Sequence, residues 1–124
     1  MNLDLIVTVP GHPRWAITVV VRSPSVIAKA PKLSDGYKAA AWFHGVKKPT
    51  SLGLFDKPDV LLIGAIGLSA VDLELVAHEC AHAAFHCYRL RMRVSAGHEE
   101  FVSTIAGALT KRVWKALQKA STKK

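Results

Sequence analysis

The chain has 124 residues, half of them hydrophobic, and a formal net charge of +8 from 17 Lys and Arg against nine Asp and Glu. That length and composition, without repeats or low-complexity stretches, point to one globular domain able to bury roughly 60–70% of the surface its unfolded form exposes, and they exclude fibrous and disordered classes. A charge of about 8 is ordinary for a small domain, and no aromatic residues interleave the terminal lysines as in a single-strand binder, so nucleic acid is not the favoured partner.

In chain order, MNLDLIVTVP has no basic leader region and carries Asp4 inside its apolar run. It reads as a first strand, not a signal peptide. Leu3–Val9 and Ala16–Val21 are rich in Val, Ile and Thr, and the turn cluster Pro10-Gly11-His12-Pro13 separates them. An antiparallel hairpin is expected. Pro24 and Pro31 bracket an irregular segment. Ala39–His44 is read as a short strand, VKKPTSLGLFDKPD as a surface loop and Val60–Ile66 as another strand. The apolar run Val60–Ala70 falls short of the roughly 20 residues that span a bilayer. No membrane association and a cytoplasmic location are expected.

Two helices follow. Ser69 is a candidate N-cap, with Asp72 placing negative charge in the first turn. The first helix is expected from about Ala70 to Leu90 and ends at the loop RMRVSAG. The second is expected from His98 or Glu99 to about Lys119, leaving 120–124 as a disordered basic tail. Strands first and helices after make an α+β domain. Residues 1–68 supply a small antiparallel or mixed sheet with its loops, packed on two long helices within 69–119. Cys80 and Cys87 would lie about 10 Å apart along one helix, too far for a disulfide. They read as buried apolar residues of a reducing compartment.

The chemistry is concentrated in VAHECAHAAFH, Val76 to His86. Residues four apart share a helix face, so His78 and His82 can chelate one ion. Glu79 is rotated from them by about 100° and can reach a water without ligating the metal itself. This is the H-E-x-x-H arrangement of zinc peptidases. Catalytic zinc takes three protein ligands and keeps one position open. A third donor is expected from GHEEFVSTIAG, where Glu100 follows His82 by eighteen positions; Glu99 and His98 are alternatives. A solvent-facing polar stripe is the plain alternative for the histidines. The carboxylates downstream and the apolar setting favour the metal.

HECAH followed by a glutamate that opens a second helix resembles the glutamate-type zincins, or gluzincins, and the compactness is similar to their minimal bacterial or phage-encoded members. The resemblance covers roughly Val60 to Leu117. It implies a zincin core flanked by the strand Val60–Ile66, and Glu100 to Gly107 reproduces an E-x-x-x-x-x-x-G helix start, which favours Glu100 over Glu99. Larger gluzincins place an Asp four residues after the third ligand, where this chain has Thr104.

The expected activity is zinc-dependent peptide-bond hydrolysis with one Zn2+ held by His78, His82 and Glu100. Glu79 would act as general base. His98, His86 and Tyr88 are candidates to stabilise the oxyanion or to support a ligand, and a peptide or protein substrate would pair along Val60–Ile66. His86 is read as a surface or supporting residue, and Trp15, Trp42, Phe85 and Trp114 as core. Two rival readings are a zinc-binding recognition or inhibitor domain without catalysis, and a nucleic-acid-associated SprT-like metalloprotein. The second expects a histidine as third ligand in an H-G-x-x-F string, where this chain has HEEF.

Overall fold

A computed structural model describes residues 2–29, 40–51, 60–91 and 98–122. The fold is α+β. Strands β1 (Leu3–Val9), β2 (His12–Val21), β3 (Ala41–Ser51) and β4 (Leu61–Leu68) form one mixed sheet in the order β1-β2-β4-β3. Helix α1 (Pro24–Lys29) is short, whereas α2 (Leu73–Arg91) and α3 (His98–Thr122) are long.

The N-terminal hairpin forms as expected, antiparallel with Leu3 opposite Val21. Gly11 takes φ 77° in the two-residue turn, a conformation that costs glycine little and other residues more. β4 then pairs with β2 in parallel, while β3 adds to its other side antiparallel. β4 is therefore an interior strand, and β3 is the edge.

Successive side chains alternate between sheet faces, and the register assigns them. Leu5, Val19, Ile66 and Phe43 align across the four strands on one face, with Val7, Ile17 and Gly64 in the next row. That face carries α2 and α3. One hydrophobic cluster joins Val7, Val19, Ile66 and Leu68 to Val76, Cys80, Ala84 and Cys87 of α2, and to Val102, Ile105, Leu109, Val113 and Leu117 of α3. The spacing of the last five residues, i, i+3, i+7, i+11 and i+15, is that of one amphipathic helix stripe.

On the opposite face, the segment expected to be irregular contains α1. Ser23 precedes Pro24, a residue favoured at the first helical position, and the amides of Val26 and Ile27 donate to the Ser23 carbonyl. Ile27 is buried, and its carbonyl accepts a 3.1 Å hydrogen bond from Trp42 Nε1. The Trp42 ring lies flat over Gly67, where any Cβ would stand 2.4 Å from it.

β3 is longer than the AAAWFH strand expected, taking in Gly45 and residues 46–51 of the expected loop; residues 52–59, and 92–97 of the RMRVSAG turn, lie outside the described residues. The α2 cap also differs. The Leu75 amide donates to Asp72 Oδ2 at 3.0 Å and the Val76 amide to the Asp72 carbonyl, so Asp72 caps the helix. Ser69 is occupied otherwise, its amide donating to the Ala40 carbonyl at 3.0 Å. At the other end, α3 continues to Thr122, beyond the boundary expected near Lys119. Cys80 and Cys87 are free and fully buried; burial pushes their thiols up to about 11 and about 12. No helix among the described residues is long and apolar enough to cross a membrane.

Candidate metal and catalytic site

The chain leaves β4 at Leu68 and returns over the sheet as α2. Because β3 is antiparallel to β4, α2 and edge strand β3 run in the same direction. Between them lies a cleft of about 800 Å³. Ala41, Phe43, Gly45 and Lys47 of β3, alternate residues on the face toward α2, form one wall, to which Trp42 also contributes. His78, Glu79, His82, Phe85, His86 and Arg89 form the other. These are neighbouring positions on one side of a helix, at i, i+1, i+4, i+7, i+8 and i+11.

His78 and His82 turn their Nε2 atoms toward each other, 3.3 Å apart, with their rings edge to face. Two nitrogen ligands about 2.0–2.1 Å from a tetrahedral zinc stand about 3.3–3.4 Å from one another, so the donor pair has the spacing such an ion needs. Glu79 Oε2 lies 3.9 Å from His78 Nε2. Its residue is only 4% exposed, and burial raises its carboxyl pKa above the ordinary value, against the lowering effect of His78 and His82. A buried carboxyl with a raised pKa, beside two imidazoles in a cleft, has the properties of a general base poised for proton transfer.

His86 has a different task. It is buried, and its Nε2 donates to the Val46 carbonyl of β3 at 3.0 Å. Its ring packs 5.6 Å from Phe43 and directly over Gly45, where a Cβ would stand 2.6 Å from the imidazole. Burial lowers its pKa, which keeps the neutral ring, with one nitrogen protonated for Val46. His86 thus ties the edge strand to α2; of the two roles expected for it, surface or supporting, its burial rules out the first. Its Nε2 is also committed, which removes it as an oxyanion donor.

Glu100 does not join the pair. Thr110 lies beside the Cys80 thiol, and Tyr88 packs 6.2 Å from Phe101, so α3 runs antiparallel to α2 with Gly107 and Ala108 level with His82. Glu100 lies seven residues earlier, about 10 Å along the axis. It is exposed, and Thr104 Oγ1 donates to its Oε1 at 3.5 Å. The helix wheel adds to the separation, since α3 approaches α2 on the side of Ala84 and Tyr88, away from His78 and His82. Tyr88 accordingly faces α3 and not the cleft. The side chains of His98 and Glu99 lie outside the described residues. Among the described residues, no three His, Cys, Asp or Glu side chains stand together as a metal-binding group.

Two further expectations change. Val60–Ile66 offers no free edge, because β4 is paired on both sides; the strand edge beside the cleft belongs to β3. Phe85, expected in the core, is 50% exposed on the cleft wall. The β3 wall itself escaped the sequence reading. Its only local signal is the alternation of Phe43, Gly45 and Lys47, and nothing local says that it faces the histidine helix. No protein-family model matches the chain, and no curated protein or solved structure is significantly similar to it.

Proposed function

We propose that the protein is a zinc-dependent metallopeptidase of the zincin kind, with Glu79 as its general base. The observation that carries this reading is the Nε2–Nε2 separation of 3.3 Å between His78 and His82, with a buried carboxyl alongside. A zinc bound there would supply a Lewis acid to polarise the scissile carbonyl and make water a stronger acid.

Glu79 accepts the proton of the attacking water and passes it to the leaving amine. Its place beside His78, with Oε2 3.9 Å from Nε2, puts the carboxyl within reach of a water held at the histidine pair. The substrate lies extended in the cleft and pairs by strand addition with the β3 edge, which is unpaired among the described residues. His86 holds that edge at a constant distance from Glu79 and acts as a positioning residue.

Elemental analysis of protein purified without added metal tests the reading. Near one zinc per chain is expected, lost in His78→Ala and His82→Ala and retained in Glu100→Ala, since Glu100 stands apart from the pair. Glu79→Gln should lower hydrolysis of an unfolded protein by about 10²–10⁴-fold while keeping its zinc. A folded wild type that refuses added zinc sinks the proposal.

One observation favours a second reading. The described residues supply two histidine donors and no third, and catalytic zinc sites ordinarily have three protein ligands. A zinc-binding recognition domain without catalysis is consistent with that donor set. Zinc binding together with a Glu79→Gln variant indistinguishable from wild type would select it.

A further inference from the structure

The cleft has two chemically different ends. At one end stand His78, Glu79 and His82. At the other, Lys47 projects from β3 and Arg89 from α2, both exposed and both lining the same cleft. Neither cation is in an ion pair among the described residues. Among the described residues, the only carboxylate on either wall is Glu79, which is buried beside the histidines. Between the ends lies Phe85, half-exposed, a large apolar ring at the cleft surface.

Two cations on facing walls, with no ion-pair partner among the described residues, create a positive potential that the low-dielectric walls focus into the cleft. A guanidinium and an ammonium together recognise a carboxylate well, one through a planar fork and the other as a mobile point charge. Arg89 is seven residues beyond His82, about 10 Å along the helix. An extended peptide rises about 3.3 Å per residue. A side chain reaching Arg89 and Lys47 therefore sits about three residues from the bond that faces the histidines, with an intervening residue over Phe85.

We propose that this end of the cleft is a specificity subsite for an acidic side chain, so that the protein selects peptides carrying Asp or Glu about three residues from the bond presented to His78 and His82. The proposal rests on the peptide-binding reading of the cleft and deepens it by naming the substrate class. It also gives part of the chain's positive charge a local purpose, distinct from a nucleic-acid surface.

The test separates binding from hydrolysis. Fluorescein-labelled octapeptides of one apolar sequence, with Glu or Gln at each position in turn, are titrated by anisotropy against wild type kept in chelator. Glu at one or two adjacent positions should tighten binding about tenfold or more over Gln, with the gain shrinking as salt rises. Lys47→Gln and Arg89→Gln should each reduce that gain. The double variant Lys47→Glu/Arg89→Glu, at exposed positions and checked for folding by circular dichroism, should prefer Lys peptides instead.

Equal affinity for Glu and Gln peptides overturns the proposal, as does a Glu preference that survives unchanged in the double variant. Zinc-loaded wild type that cleaves Glu and Gln peptides equally well also overturns it, while leaving the metallopeptidase reading intact. Conversely, a charge-reversible Glu preference in a protein that binds no zinc supports the acidic subsite and removes the metallopeptidase.

Discussion

Burial works against a negative charge on Glu79. Its folded pKa lies above the ordinary glutamate value of about 4.5, so the folded state takes up the proton more readily than the unfolded chain. In metal-free protein, the contribution of this group to stability is full below about 4.5 and is lost as pH rises through the folded value. Glu79→Gln should therefore melt higher than wild type at pH 7 in chelator, and the difference should close toward pH 4. A thermal series at both pH values checks this; a lower melting temperature at pH 7 would mean that the carboxylate is held by favourable contacts. The reverse sign applies to His86, whose lowered pKa makes the fold lose stability as pH falls below the ordinary histidine range. At this scale the sequence was most informative. The four-residue spacing of His78 and His82 is a local helical property, and it put both rings on one face without help from the rest of the chain. Asp72 and Ser69 both suit a cap, and the choice between them depends on where β3 lies, since Ala40 engages the Ser69 amide.

The pairing of elements is where sequence distance stops being a guide. Eighteen positions from His82 to Glu100 looked right for a returning helix. The level at which two helices meet is decided by their packed faces, here Cys80 against Thr110 and Tyr88 against Phe101, and that level passes Glu100 by. Likewise, the strand order inserts β4 between β2 and β3, so the edge beside the histidines comes from an earlier segment than the strand nearest them in sequence. Gly45 tests how the cleft is held open. An added Cβ would stand 2.6 Å from two atoms of the His86 ring and 2.8 Å from a third, and Val46 pins that ring. Gly45→Ala should destabilise the protein by about 1–3 kcal/mol, as overpacking does, and should change peptide affinity because the β3 wall must shift. Denaturant melts measure the first, and the octapeptide titration measures the second. A neutral outcome in both would mean that His86 does not clamp the edge.

For the molecule as a whole, one hydrophobic cluster joins the hairpin, β4 and both long helices. Cooperative unfolding is expected. The three tryptophans sample β2, β3 and α3, so their fluorescence transition should coincide with that of far-ultraviolet circular dichroism; separate midpoints would show that the edge strand opens first. Truncating Leu109, fully buried in the centre of α3, to Ala should cost about 2–5 kcal/mol. Zinc gives a global readout of a local site. An ion that binds only the folded state raises stability by about 2.7 kcal/mol at 100 times its dissociation constant, so zinc should raise the melting temperature of wild type and leave His78→Ala unchanged.

The strand order also has a consequence for how the chain is made. Synthesis runs from N- to C-terminus, so β3 emerges before β4, yet among the described residues β4 is its only neighbour in the sheet. Until β4 follows, the hairpin carries an unfilled edge on β2, and β3 lacks the strand it pairs with. When β4 arrives it serves two strands at once, closing the gap on β2 and recruiting β3. The histidine helix is the next segment to leave the ribosome, and it meets a surface that has only just been completed. Ribosome-bound chains halted before residue 61 should therefore hold the hairpin alone, with no cleft for a peptide to enter.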